Sequence, residues 1–135
     1  MLLINGTWQD SLAANDRAIQ FGDGCFTTAR VKEGEIMLLD AHLNRLAEAC
    51  GRLAIPSPDL GLMRDEMCAV AESHAQAVLK VIVTRGAGGR GYSATGCGEP
   101  SRLLAVSTYP AFYHAWREQG IRLTQSPVQL GRNPL

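Results

Sequence analysis

Val78-Leu79-Lys80-Val81-Ile82-Val83-Thr84 is a continuous apolar run broken by one charge, and it constrains the fold more than any other segment. Aliphatic and β-branched residues at this density read as a strand. Lys80 alternates with Leu79 and Val81, which predicts that it lies on the sheet's more polar face. Two helices precede this strand. In the first, capped by Asp40 and ended by Ile55-Pro56, Leu43, Leu46, Cys50 and Leu53 form one stripe at the 3.6-residue period. The second is read with Ser57 as N-cap and Pro58 at its first position; Leu60, Met63, Met67 and Val70 line its apolar face.

Shorter strands flank the helices. Leu2–Ile4 and Thr7–Gln9 are joined by Asn5-Gly6, a strong hairpin turn. Residues 25–32 alternate as a strand, Glu33-Gly34 turns, and Glu35 to Leu39 returns. Residues 10–24 are polar and turn-rich, closing on the tight loop Phe21-Gly22-Asp23-Gly24. Arg102 to Tyr109 reads as a strand stopped by Pro110, Ala111 to Gln119 as a short helical turn, and Ile121 to Gln125 as strand-like. Hairpins, grouped helices, then strands predict an α+β domain: two layers, a largely antiparallel sheet and two main helices, over residues 1–125. Residues 126–135 are Pro/Gly/Asn-rich and read as the start of an interdomain connector, which predicts a fragment whose second domain is absent.

Composition excludes several classes. Thirteen basic and thirteen acidic residues give zero formal charge, against a dedicated nucleic-acid binder. No apolar run approaches the roughly 20 residues of a membrane helix, and residues 1–9 lack a signal peptide's features. A soluble, cytoplasmic protein is expected. Cys25, Cys50, Cys68 and Cys97 have no metal-ligand spacing and are expected to be reduced, mostly buried thiols, with no metal site.

The glycine-rich segment Arg85-Gly86-Ala87-Gly88-Gly89-Arg90-Gly91-Tyr92 matches no nucleotide-binding loop. It is read as irregular and mobile through Pro100. Its two arginines suit an anionic ligand, or are simply solvated charge. Arg45 sits one residue off the helical stripe, where it either reaches an anion or lies on the surface. His42 reads as packing or capping, and Thr27 and Thr28 as ordinary strand residues.

Taken in order, several segments together resemble the fold-type IV pyridoxal-phosphate enzymes. They are Ile4-Asn5-Gly6, Asp16 through Arg30, His42-Leu43-Asn44-Arg45-Leu46, Arg85 through Tyr92, Ser126-Pro127 and Gly131-Arg132-Asn133-Pro134. Within that family, Phe-Gly-Asp-Gly-Cys-Phe-Thr-Thr-Ala-Arg followed by Arg-Gly-Ala-Gly-Gly-Arg-Gly-Tyr looks most like the aminodeoxychorismate lyases. These form 4-aminobenzoate and pyruvate from 4-amino-4-deoxychorismate on the route to folate. The resemblance implies pyridoxal 5'-phosphate as cofactor, a small-molecule substrate and a homodimer. It implies that Arg45 binds the cofactor phosphate and that Thr28 assists proton transfer. Phe26 lies near the cofactor in this reading, and Arg90 and Tyr92 grip a substrate carboxylate across the dimer interface. The family's Schiff-base lysine lies beyond the Gly-Arg-Asn-Pro segment, and neither Lys32 nor Lys80 matches it. The alternatives are a D-amino-acid or branched-chain aminotransferase, or a non-catalytic domain that binds a small anion.

Overall fold

The computed structural model describes residues 2–129 and residue 131. In chain order its elements are β1 (Leu2–Ile4), β2 (Thr7–Gln9), α1 (Arg17–Phe21), β3 (Gly24–Lys32), β4 (Glu35–Ile36), α2 (Leu39–Leu53), α3 (Leu60–Ala71), β5 (Gln76–Thr84), β6 (Gly88–Arg90), β7 (Ser93–Cys97), β8 (Ser101–Thr108) and α4 (Phe112–Gln119). Asn5 and Gly6 both take positive φ, 50° and 81°, which matches the twist a two-residue hairpin needs between β1 and β2. Six strands form one sheet in the order β2-β1-β8-β5-β3-β4, and every neighbouring pair is antiparallel. β5 is flanked by β3 and β8, as its apolar sequence requires.

The pleat divides β5 cleanly. Ala77, Leu79, Val81 and Val83 are buried and join one core cluster. That cluster includes Leu43, Leu46 and Cys50 of α2 and Met63, Met67, Val70 and Ala71 of α3. The two predicted helices thus cover one side of the sheet, and the α+β, two-layer, antiparallel expectation holds. α3 is tied to β8 by a two-point ion pair, Arg102 Nε and Nη2 donating to the Glu66 carboxylate at 2.7 Å each. None of the helices among the described residues is long and apolar enough to cross a membrane.

Several boundaries differ from the sequence reading. The return strand ends at Ile36, and α2 begins at Leu39. Its cap position is Leu38, at φ 58°, with no side-chain cap bond; Asp40 lies inside the first turn, where Arg64 of α3 holds its carboxylate. An acid there still complements the helix dipole. α3 is capped by Asp59, whose Oδ1 accepts from Leu62 N at 3.0 Å, and not by Ser57. A carboxylate adjacent to the first turn outcompetes the more distant hydroxyl. The supposed loop 10–24 contains α1, capped by the Asp16 side chain and closed by Gly22 in the left-handed region. The glycine-rich segment is regular: β6 and β7 pair as a hairpin.

Ile121–Gln125 is not a strand, and Ile121 and Leu123 stand exposed; the run has no neighbouring strand to bond to among the described residues. The cysteines are free thiols, but only Cys50 is buried; Cys25 and Cys97 are half-buried and Cys68 is exposed. Arg132, Asn133 and Pro134 of the sequence motif lie outside the described residues.

Candidate anion-binding site

A cleft of about 260 Å³ opens between the start of β3 and one side of α2. Gly24, Cys25 and Phe26 form one wall; Arg45, Arg52 and Leu53 contribute to the other. Gly24 is required by close packing, since a Cβ there would meet the Val83 carbonyl oxygen at 2.6 Å. Arg45, Glu48, Ala49 and Arg52 reach the cleft together because residues three, four and seven apart share a helix face. Arg52 Nη2 donates to Glu48 at 2.6 Å and is neutralised by it. Arg45 is exposed and has neither a hydrogen bond nor an ion pair among the described residues. Its charge is therefore free to meet an anion.

The cleft offers no nucleophile of its own. Burial raises the Cys25 thiol above its usual range, opposed by the hydrogen bond to Cys50 and by Arg45. Cys50, buried 3.8 Å from Cys25 Sγ, is pushed up to about 12. Both thiols stay protonated at neutral pH. His42, one turn before Arg45, is pulled below its ordinary value by burial and then by Arg45's charge. Its Nδ1 lies 2.7 Å from Thr27 Oγ1, which pins the first turns of α2 to β3. This is the packing role read from the sequence.

The even-numbered residues of β3 and β5 face away from the helices. Thr28 lies opposite Lys80 and Phe26 opposite Ile82 in the register. The Lys80 ammonium sits 4.6 Å from the Phe26 ring centroid, and Arg30 stacks on Tyr109 at 4.8 Å. Lys80 is on the polar face, as alternation predicted. Phe26 thus belongs both to this face and to the Arg45 cleft.

Arg90 and Tyr92 lie on the β6–β7 hairpin and do not line the cleft. Tyr92 is 96% exposed, its ring 6.0 Å from that of Phe21. A set of charged residues in and around α1, to which the sequence reading gives no individual roles, helps to hold the hairpin. Arg17, 2% exposed, donates from Nε to Asp23 Oδ2 at 2.8 Å and from Nη1 to the Gly91 carbonyl, between Arg90 and Tyr92, at 3.1 Å. Gly89 packs against this guanidinium at φ 72°; a Cβ there would meet Arg17 Nη1 at 3.0 Å. Asp23 also receives Arg85 Nε at 2.8 Å, while Arg85 donates to the carbonyls of Leu53 and Ala54 at the end of α2. Arg85 and then Arg17 hold the Asp23 carboxyl below the usual range against its burial. One carboxylate therefore links the hairpin to the cleft wall.

The structure thus brings Arg45 and Phe26 together, sets Thr28 beside Lys80, and puts Arg90 and Tyr92 on a separate hairpin. The sequence reading missed Glu48 and Arg52, although their helical spacing from Arg45 was visible. It also gave no role to Arg30, whose outward place follows from the alternation of β3.

The amino-transferase class IV family model matches residues 24–134. Over all 135 residues the chain is 36% identical to aminodeoxychorismate lyase of Vibrio harveyi, of which it spans 50%. It superposes on 4-amino-4-deoxychorismate lyase from Pseudomonas aeruginosa with a TM-score of 0.82 and 40% identity, covering 91% of this chain and 45% of that one. A hypothetical aminotransferase from Mycobacterium tuberculosis, in its PLP-bound form, matches with a TM-score of 0.69 and 32% identity over 83% of this chain and 39% of its own. The chain spans half or less of the length of these relatives. Matched across most of its length and in its fold, the chain belongs to the class IV amino-transferase family.

Proposed function

We propose that this chain is the N-terminal, phosphate-anchoring half of a pyridoxal-phosphate lyase that converts 4-amino-4-deoxychorismate to 4-aminobenzoate and pyruvate. In this reading residues 1–125 are the domain and 126–135 begin the connector to a second one. The enzyme is a cytoplasmic homodimer on the route to folate. The observation that carries the reading is Arg45, an unpaired guanidinium at a cleft whose other cation is already neutralised. That donor set fits a phosphate. The likeness to two aminodeoxychorismate lyases supports this substrate over others.

When bound, pyridoxal phosphate supplies an electron sink for the carbon that carries the substrate nitrogen. The chain's own residues would do the rest. Arg45 holds the phosphate, and Phe26 gives the cofactor an apolar wall. Thr28 holds or relays a proton toward the departing enolpyruvyl oxygen. Arg90 and Tyr92 hold a substrate carboxylate so that the leaving group is aligned. They serve the partner's site in the dimer.

The test is product formation by the full-length protein. 4-Aminobenzoate release is expected. Exchange between amino acids and 2-oxoacids without it would make the protein a transaminase, the reading favoured by the likeness to the mycobacterial aminotransferase. Cofactor binding with neither activity would leave a non-catalytic anion-binding domain. The cross-subunit role has its own test. Subunits carrying only Arg90→Ala, mixed with subunits lacking only the Schiff-base lysine, should regain one working site of two. A dead heterodimer would refute the role.

A further inference from the structure

We infer that Asp23 is a positioning residue: through Arg17 it fixes where the β6–β7 hairpin presents Arg90 and Tyr92. The inference rests on the reading in which those two residues hold a substrate carboxylate in the partner's site. A hairpin that reaches another subunit is held from one end, so the accuracy of its tip depends on its root. Arg90 and Tyr92 are both exposed. From residue 89 to residue 96, one hydrogen bond arrives from outside the hairpin among the described residues: Arg17 Nη1 donates to the Gly91 carbonyl at 3.1 Å. Gly91 sits between Arg90 and Tyr92, so this bond acts on the backbone that carries both. Segments with few contacts open first, which makes each remaining contact decisive for their placement.

Arg17 is itself fixed from three directions. Its guanidinium carbon lies 4.7 Å from the Phe21 ring centroid. Gly89 passes so close that a Cβ there would meet Nη1 at 3.0 Å. Nε donates to Asp23 Oδ2 at 2.8 Å, and of the three neighbours only Asp23 supplies the opposite charge. Asp23 cannot swing, because Arg85 grips both its oxygens, from Nε at 2.8 Å and from Nη2 at 3.1 Å. Arg85 is tied in turn to the end of α2 through the Leu53 and Ala54 carbonyls, at 2.8 and 2.7 Å. The contacts thus run unbroken from a helix packed on the core to the tip of the hairpin. None of Arg17, Asp23 and Arg85 belongs to the apolar cluster that holds the sheet to the helices. Ion pairs taken out of water are a weak source of stability beside apolar packing, but their directional hydrogen bonds define a geometry. That is what a substrate-gripping pair on a projecting hairpin needs.

The experiment places Asp23→Asn in two backgrounds of the full-length protein: wild type, and Arg90→Ala combined with Tyr92→Phe. The KM for 4-amino-4-deoxychorismate is read by turnover and cofactor retention by absorbance. Asparagine keeps the shape but presents one acceptor oxygen, and a donor where the two guanidiniums need acceptors. In the wild-type background Asp23→Asn should raise KM about tenfold or more, the effect of a grip displaced by about 1 Å. Once the grip is removed its placement no longer matters, so the same change should alter KM by less than about twofold. Cofactor retention should also stay within about twofold throughout. Equal rises of KM in the two backgrounds, no rise in either, or a loss of cofactor in place of the rise would overturn the inference. Arg17→Lys serves where Asp23→Asn fails to fold. It keeps the charge beside Asp23 but cannot reach Asp23 and Gly91 in one plane, and should show the same dependence on background with a smaller factor. Hydrogen exchange gives a readout free of activity: in either variant the amides of β6 and β7 should exchange about tenfold faster relative to those of β5. An unaltered ratio in a folded variant would overturn the positioning role. A wild type that exchanges amino acids with 2-oxoacids and makes no 4-aminobenzoate would overturn the lyase reading alone; the same comparison, read in the KM for the amino acid, then decides the role of Asp23.

Discussion

On the helix-covered side of β3 and β5, Val31, Leu79, Val81 and Val83 are buried in one cluster with residues of α2 and α3. On the other side the same two strands present Phe26, Thr28, Arg30 and Lys80, none of them buried. Alternate residues of one strand thus do two different jobs, because successive side chains leave a pleated sheet on opposite sides. One face holds the fold through apolar burial and tolerates little change of volume. The other carries cations, a hydroxyl and an aromatic ring whose donors the fold does not use. The comparison teaches that the chemistry of this domain can vary with little cost to its stability, and that mutations should separate along the pleat.

Leu46→Ala tests the covered side. Leu46 is fully buried, and its truncation should cost about 2–5 kcal/mol in chemical denaturation. On the open side Lys80→Met should stay within about 0.5 kcal/mol of wild type in the same measurement. Comparable losses from the two would end the division of labour between the faces.

Asp23 sits where the cleft meets the hairpin and should respond to pH. Its carboxyl is held below the usual range by the hydrogen bonds of Arg85 and Arg17. A depressed folded-state value means stabilisation that is complete above about pH 4 and is lost as pH falls through the folded value. Asp23→Asn leaves two largely buried guanidiniums without their partner and should cost about 3 kcal/mol at neutral pH. The gap between variant and wild type should close in acid, as followed by denaturation midpoints at pH 7 and near pH 3. A gap independent of pH would show that the carboxylate's charge is not what holds the network.

Thr28→Ala should lower kcat of the full-length enzyme by about ten- to a hundredfold with cofactor affinity intact, and Thr28→Ser should retain most of the rate. Loss of stability in place of kcat would return Thr28 to an ordinary strand position.

Much of this was legible in the chain, for identifiable reasons. The β1–β2 hairpin followed from Asn5-Gly6, and α2 from a stripe whose members Leu43, Leu46 and Cys50 are all buried. Both depend on local chemistry or strong periodicity. α1 was missed because it has five residues and too little length for a periodic signal, though Asp16 and Gly22 supply both of its caps. The β6–β7 hairpin is paired where the density of glycine predicts an irregular, mobile loop. Gly88, Gly89 and Gly91 all adopt positive φ, the conformation the turn and its irregular register require. The Arg17–Asp23–Arg85 network was beyond the sequence altogether: Arg17 and Asp23 are six residues apart, but Arg85 is brought to them across 62 residues of chain by the β3–β5 pairing. At the site, Arg45 and Phe26 line one cleft, and the orphaned Nε of Arg30 is a fact of packing that no spacing announces.

The central claim is that Arg45 anchors the cofactor's phosphate, and it is tested most directly by pyridoxal-phosphate affinity in full-length Arg45→Ala, with Arg90→Ala measured beside it. Loss of one charge-assisted contact to a phosphate should cost about 1.5–3 kcal/mol, or roughly ten- to a hundredfold in affinity. Arg90→Ala should bind the cofactor nearly as wild type does and show its defect in KM. Unchanged affinity in Arg45→Ala would contradict the account and make that guanidinium an ordinary surface charge.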